Sequence, residues 1–162
     1  YYRASLFKAE ALFYMDLENG MVSKNDVLRL FRQLHLIEAE RKKIQAVCVL
    51  MEKNPDEIGN ANRLKDLECL AGIIEIWRLM LAEEDRFIVD RHIIEQIDWR
   101  RGTVEYVQKW NRENCRSEST LKRKQSNILQ SLANYSNKAC PHHLQRLITD
   151  FSDGRKQKGS GS

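Results

Sequence analysis

The chain has 162 residues, with 27 Lys or Arg and 23 Asp or Glu, which gives a formal net charge of +4. Its residues are 42% hydrophobic and 31% charged, enough apolar material for a core, which excludes a disordered or fibrous protein. The seven Gly and two Pro provide too few tight turns for an all-β fold. Because no apolar run approaches the roughly 20 residues of a spanning helix, we expect no membrane partner.

Apolar residues recur at helical spacing in the first third of the chain and predict three helices. The first covers residues 2–17 and ends at Asn19-Gly20, residues typical of a helix terminus. The second begins at Ser23-Lys24-Asn25-Asp26, which resembles a capping box, and runs to about Leu36. The third covers residues 38–51 and stops before a turn that contains proline.

The middle of the chain carries the widest apolar pattern, over residues 61–82, which is typical of the central helix of a bundle. Gly72 lies within it and either admits the close approach of a neighbouring helix or is simply tolerated there. Residues 85–98 predict another helix, which Arg101-Gly102 separates from a short one at residues 104–110. We therefore predict an all-α fold.

The predicted architecture is a bundle of six to eight short antiparallel helices, which could also stack in pairs as a short α-solenoid. Residues 1–110 would form the core bundle, and residues 111–126 a polar, basic hinge. Residues 127–151 would form an appended helical hairpin, and residues 152–162 a disordered tail that ends in an engineered Gly-Ser linker. Residues 1–110 carry a net charge of −2 and the remainder +6, so the basic character belongs to the C-terminal third.

The residues give no sign of catalysis or of a bound cofactor. No GxSxG, GxxxxGK[ST], GxGxxG or HExxH motif occurs, so we expect a protein that is not an enzyme. The four cysteines stand apart without a CxxC pair, which favours reduced thiols in an intracellular protein. Soft ligands crowd together at Cys140-Pro141-His142-His143, but adjacent helical side chains diverge by about 100°, so we predict no metal site.

A helical module without reaction chemistry is typical of a docking scaffold, in which a groove takes up a peptide or helix from another protein. Buried aromatic anchors supply much of the binding energy in such grooves. The candidate anchors are Phe7, Phe13, Tyr14, Trp77, Trp99 and Trp110.

Two alternatives stay open at this point. The basic C-terminal third could bind the phosphate backbone of RNA or DNA, although it lacks interleaved aromatic residues for base stacking. The wide apolar face of residues 61–82 could instead pack against a second copy in a homodimer. The candidate nucleic-acid contacts are Arg112, Arg116, Lys122, Arg123 and Lys124.

Four segments, residues 19–30, 37–43, 64–68 and 72–77, resemble the helical region that follows the SET domain in elongation-coupled histone lysine methyltransferases. That region is itself similar to the N-terminal helical bundle of elongation factor S-II and to the integrase-binding domain of lens epithelium-derived growth factor. The resemblance covers about residues 12–82. It implies a non-catalytic scaffold that binds short disordered peptides between helical hairpins, in a nuclear transcription or chromatin assembly.

Overall fold

The computed structural model describes residues 22–110 and 117–152, and it confirms the all-α prediction. These described residues form seven α-helices and one π-helical segment and contain no strand. The predicted helix at residues 2–17 and residues 153–162 of the predicted tail lie outside them. The α-helices are α1 (Lys24–Arg32), α2 (Leu34–Met51), α3 (Ala61–Met80), α4 (Glu83–Ile88), α5 (Trp99–Trp110), α6 (Glu118–Ala139) and α7 (His142–Ser152), and the π-helical segment is Val89–Ile94.

The chain divides into two compact units. One consists of residues 30–125, and the other combines residues 1–29 with residues 126–162. From composition we expected a core bundle over residues 1–110, a hinge over residues 111–126 and an appended hairpin over residues 127–151. Helix α6 includes residues 118–126, which we had assigned to a polar hinge, while residues 111–116 lie outside the described part of the chain. Within the described residues, no helix is both long and apolar enough to cross a membrane.

The start of α1 confirms the predicted capping box. The Ser23 backbone N–H donates to Asp26 Oδ2 over 2.8 Å, and the Asp26 backbone N–H donates to Ser23 Oγ over 3.2 Å. Each side chain thereby satisfies a backbone donor that the first helical turn leaves unpaired. The predicted end of this helix was wrong, because Gln33, with φ −93° and ψ 1°, already separates α1 from α2. No Gly or Pro marks this break, so the apolar pattern runs through it.

Helices α2 and α3 form an antiparallel hairpin in the unit of residues 30–125. Glu40 and Arg63 join the two helices through a pair of hydrogen bonds, with Arg63 Nε to Glu40 Oε1 at 2.6 Å and Arg63 Nη2 to Glu40 Oε2 at 2.8 Å. Ile37 and Ile44 of α2 are buried. In α3 the buried residues recur every three or four positions, as predicted for a central helix. They are Leu67, Leu70, Ile73, Ile74 and Trp77.

Among residues 22–110 and 117–152, two glycines lie in helix interiors, and their surroundings are opposite. Gly72 in α3 is exposed, and a Cβ added there would meet no atom within 4 Å, so it is the tolerated glycine of our two alternatives. Gly102 is buried, and a Cβ added there would overlap the imidazole ring of His92. The predicted helix break at Arg101-Gly102 is therefore wrong. Helix α5 passes through it from Trp99, and Gly102 is needed for the approach of His92.

The other unit is closed by a side chain that binds backbone far away in the sequence. The Val22 backbone N–H donates to Asn137 Oδ1 over 2.7 Å, and Asn137 Nδ2 donates to the Val22 carbonyl over 2.9 Å. At the end of α6, Gln145 Nε2 donates to the carbonyls of Asn137 (3.1 Å) and Cys140 (2.8 Å). These bonds satisfy carbonyls that have no partner within the helix. The buried apolar residues of this unit are Val22, Val27, Ile128, Leu129, Leu132, Ala133, Leu147, Ile148 and Phe151.

Candidate partner-binding surface

The predicted aromatic anchors do not form one groove in the described residues. Trp77 has no exposed surface, and its ring lies 5.5 Å from that of Phe31, centroid to centroid. It is a core residue, and a partner could not reach it without unfolding the unit. Three further predicted anchors lie outside the described residues: Phe7, Phe13 and Tyr14.

Trp99 and Trp110 are partly buried and already have partners within their own unit. The Trp99 ring stacks on His92 with centroids 3.8 Å apart and planes inclined by 13°. The Trp110 ring meets Phe87 edge to face at 4.8 Å, and Lys109 Nζ lies 4.8 Å from the Trp110 centroid. Both tryptophans therefore pack against residues of their own unit, which leaves less of each ring for a partner.

The basic residues near the start of α6 are also spread out. Lys122, Arg123 and Lys124 follow one another on a helix, so their side chains point in directions about 100° apart. Lys122 Nζ lies 5.7 Å from the Trp99 ring centroid, a cation–π arrangement. Burial raises the pKa of the Asp85 carboxyl, and the positive charge of Lys124 opposes that rise. The other two nucleic-acid candidates, Arg112 and Arg116, lie outside the described residues.

The largest apolar exposure of the described residues occurs on the α2–α3 hairpin. Eight large apolar side chains are about half exposed or more, and seven of them belong to α2 or α3. Isolated apolar residues on a surface are ordinary, whereas a contiguous exposed apolar patch is typical of an interaction site. The seven are Leu36, Val49, Leu50, Met51, Ile76, Leu79 and Met80.

Five exposed residues of α2 form what we call the outer stripe: Leu36, Ala39, Lys43, Ala46 and Leu50. Their spacing alternates between three and four residues, which is the spacing of the contact positions in a coiled coil. Leu36 is 62% exposed and Leu50 is 82% exposed. The outer stripe therefore has the sequence pattern of a helix–helix seam and meets solvent along its whole length.

Helix α2 also has an ordinary inner face toward its own unit, where Ile37 and Ile44 are buried. At 100° per residue, these two residues lie roughly 130° around the helix from the axis of the outer stripe. A surface helix needs only one apolar face to join its core. Folding of the described residues uses the inner face and leaves the outer stripe available for a partner.

The charge beside the outer stripe is positive. Lys42 and Lys43 are exposed, and no carboxylate of the described residues lies within ion-pair distance of either. Glu40, three residues before Lys43 on α2, is bound to Arg63, and that hydrogen bond is the main cause that raises the pKa of the Arg63 guanidinium. The negative charge of Glu40 is therefore already paired with Arg63 rather than with Lys43.

Three other features of the described residues bear on possible chemistry: metal ligands, the Cys140 thiol and a depression on α5. No group of three His, Cys, Asp or Glu side chains among the described residues could hold a metal ion. Burial raises the pKa of the Cys140 thiol, which keeps it protonated and poorly nucleophilic. A shallow depression of about 380 Å³ on α5 is lined by Thr103, Val104, Val107 and Gln108, none of which titrates near neutral pH.

The outer stripe escaped our reading of the sequence because of one helix boundary. We placed Leu36 at the end of one helix and the remaining stripe residues in the next, so the alternating spacing was broken at its first member. With α2 beginning at Leu34, the pattern from Leu36 to Leu50 is continuous and recognisable from sequence.

We compared the chain with known proteins through protein-family models, curated proteins and solved structures. No family model, curated protein or solved structure matches it. The resemblance to the helical region that follows the SET domain therefore stays a prediction.

Proposed function

We propose that this protein is a non-catalytic interaction module that docks a helix of another protein along the outer stripe of α2. The single observation that supports the proposal most is the row of exposed residues at coiled-coil spacing between Leu36 and Leu50. This moves the docking surface away from the aromatic anchors that we expected from sequence. The nuclear or chromatin setting implied by the resemblance stays a prediction.

The size of the outer stripe fits one short partner helix. The 15 residues from Leu36 to Leu50 span about 21 Å at 1.5 Å per residue, which matches a partner of about four turns. Burying a leucine fully stabilises a complex by about 1.5–3 kcal/mol, so the two leucines at the ends would anchor the helix. Because isolated helices below about 12–15 residues are marginal in water, we expect the partner segment to fold as it binds.

The alternative functions have less support. The proposed homodimer used the apolar face of residues 61–82, but five of its large residues are buried inside the monomer's own unit. Nucleic-acid binding needs a dense basic patch, whereas Lys122 already lies over Trp99 and Lys124 is near Asp85.

The test is an affinity pull-down that compares the proteins retained by the intact chain with those retained by a surface variant. In the variant Leu36→Ser/Leu50→Ser, both ends of the outer stripe become polar. The matched control is Val104→Ser, which alters a 53% exposed residue on α5. We expect a protein that is captured by the intact chain and by the control, resists nuclease and high salt, and is lost from the double variant. Its contact should then be mapped by amide hydrogen exchange.

Slower exchange confined to α2 on binding would support the proposal. Retention of the same partners by the double variant would contradict it, and so would a footprint on α5 or α6. Capture that is lost on nuclease treatment would favour nucleic-acid binding through the basic residues of α6. Circular dichroism of both variants should match that of the intact chain, because all three replaced side chains are solvent-exposed.

A further inference from the structure

The chemistry of the partner follows from the residue at the centre of the outer stripe. Lys43 is flanked along the stripe by Ala39 and Ala46, with Leu36 and Leu50 at the two ends. The small alanines allow a second helix to approach closely, and the leucines provide apolar contact at each end. A helix that packs here must place a side chain opposite the Lys43 ammonium group. An apolar side chain there would leave that charge desolvated and without a partner.

We propose that the outer stripe of α2 selects an acidic amphipathic helix, with carboxylates opposite Lys42 and Lys43 and apolar residues opposite Leu36 and Leu50. This inference rests on the proposed function and adds the chemical class of the partner. A single polar residue at a seam position of a coiled coil fixes the register and the choice of partner. Lys43 would therefore act as a specificity residue, and the two leucines as the source of affinity.

A second copy of this chain fits the outer stripe poorly. Lys43 lies at the midpoint between Leu36 and Leu50, so an antiparallel pair of α2 helices aligned on the leucines brings Lys43 next to its own copy. A parallel pair in register does the same. Like charges in contact disfavour association, and no carboxylate of the described residues pairs with Lys43 to relieve the repulsion.

Glu40 of the same helix is not free to act as the ion-pair partner of Lys43, because it is already bound to Arg63. Its two carboxylate oxygens accept hydrogen bonds at 2.6 and 2.8 Å from Arg63. Those bonds hold α2 against α3, so turning Glu40 toward the outer stripe would give up contacts inside the unit. The acidic group opposite Lys43, at the centre of the outer stripe, therefore comes from the partner.

The test uses two synthetic helical peptides of about four turns, identical except at the central seam positions. Both carry leucines at the ends of the seam. One has glutamates at the centre and the other has lysines. Their affinities for the full chain are measured by fluorescence anisotropy at low salt, and we expect the glutamate peptide to bind about tenfold more tightly, as electrostatic complementarity requires.

The charge-reversal variant Lys43→Glu should invert this preference, so that the lysine peptide binds more tightly. The matched control Lys65→Glu makes the same charge change at an exposed position on α3 and should leave the preference unchanged. Both variants should keep the circular dichroism and tryptophan fluorescence of the intact chain. A preference that also inverts in Lys65→Glu would reflect net charge alone and would overturn the inference.

Failure of this inference can be told apart from failure of the proposed function. If both peptides bind equally, and Leu50→Ser weakens both, docking on the outer stripe stands and acidic selection is wrong. If neither peptide binds, acidic selection is wrong, and the capture experiment decides the proposed function separately. Sedimentation of a dimer that Leu50→Ser dissociates would identify a second copy as the occupant and overturn the inference.

Discussion

Replacing each of the two interior helical glycines by alanine should change the stability of the unit of residues 30–125 in opposite directions. Gly72 is exposed in the middle of α3, and the new methyl group would meet no atom within 4 Å. The only change is then the better helix propensity of alanine, which stabilises by about 0.5–1 kcal/mol. Gly72→Ala should raise the free energy of unfolding by that amount.

Gly102→Ala places a methyl group where the His92 imidazole lies. Overpacking of this kind costs about 1–3 kcal/mol, and displacing His92 from its 3.8 Å stack on Trp99 costs about 0.5–1.5 kcal/mol more. The gain in helix propensity offsets about 1 kcal/mol. The net destabilisation should be about 0.5–3.5 kcal/mol, and the two alanine variants should differ by about 1–4.5 kcal/mol.

Urea denaturation followed by tryptophan fluorescence measures this difference directly. The three tryptophans of the chain, Trp77, Trp99 and Trp110, all belong to the unit of residues 30–125, so the signal reports on that unit. Because Trp99 contacts His92, circular dichroism at 222 nm serves as a second probe that does not depend on this ring.

A second variant isolates the cause of the effect. In a His92→Ala background the ring is absent, and Gly102→Ala should become stabilising by about 1 kcal/mol, like Gly72→Ala. If Gly102→Ala is as stable as the parent chain, or if its effect is the same with and without His92, the assigned packing is wrong. Destabilisation by Gly72→Ala would show that another part of the molecule approaches α3 at that point.

Three further outcomes are expected. Burial is the main cause that lowers the pKa of His92 below its usual 6.5, so on acidification the unfolded chain binds the proton first, and the free energy of unfolding should fall as the pH drops below about 6.5. His92→Gln should remove this pH dependence from urea midpoints measured between pH 7.5 and 5. The control His35→Gln, at an exposed position, should keep it. Asn137→Ala removes both hydrogen bonds to the Val22 backbone and should destabilise its unit by about 1–3 kcal/mol, which faster amide exchange at Val22 and in α7 would show. The control is Asn134→Ala, at an exposed site on the same helix. An equal effect of both variants would contradict the assignment. A double-mutant cycle with Glu40→Gln and Arg63→Gln should give a coupling free energy of about 0.5–1 kcal/mol that becomes smaller in about 1 M salt. A coupling free energy of zero at low salt would mean that the pair does not join α2 to α3 in solution.

The accuracy of the sequence predictions depended on whether the deciding interaction was local. The capping box at Ser23 and Asp26 was predictable because its two residues lie three positions apart and pair with each other. The central helix at residues 61–82 was recognised because its apolar spacing is long and regular, and it ends at Met80. The position of Gly102 inside α5 was not predictable, since the reason for that glycine is His92, ten residues away on another segment.

The candidate surface was partly visible in the sequence. Exposure decides which apolar residues are free for a partner, and exposure depends on the tertiary packing of both faces of a helix. Trp77 looked like an anchor because tryptophan is common at interfaces, yet it lies in the core beside Phe31. Leu50 drew no attention in a run of apolar residues, yet it is 82% exposed.

The two hydrogen bonds between Val22 and Asn137 affect the order in which the two units fold during synthesis. The two residues are 115 positions apart, so the unit that they close cannot form until the ribosome has released nearly all of the described chain. The unit of residues 30–125 is continuous in sequence and can fold while synthesis is still under way. Closing the long loop between Val22 and Asn137 then costs less entropy than it would in an unfolded chain, because the intervening segment is already compact. Vectorial synthesis thus favours an order in which the inserted unit folds first and the unit built from both sides of it folds last.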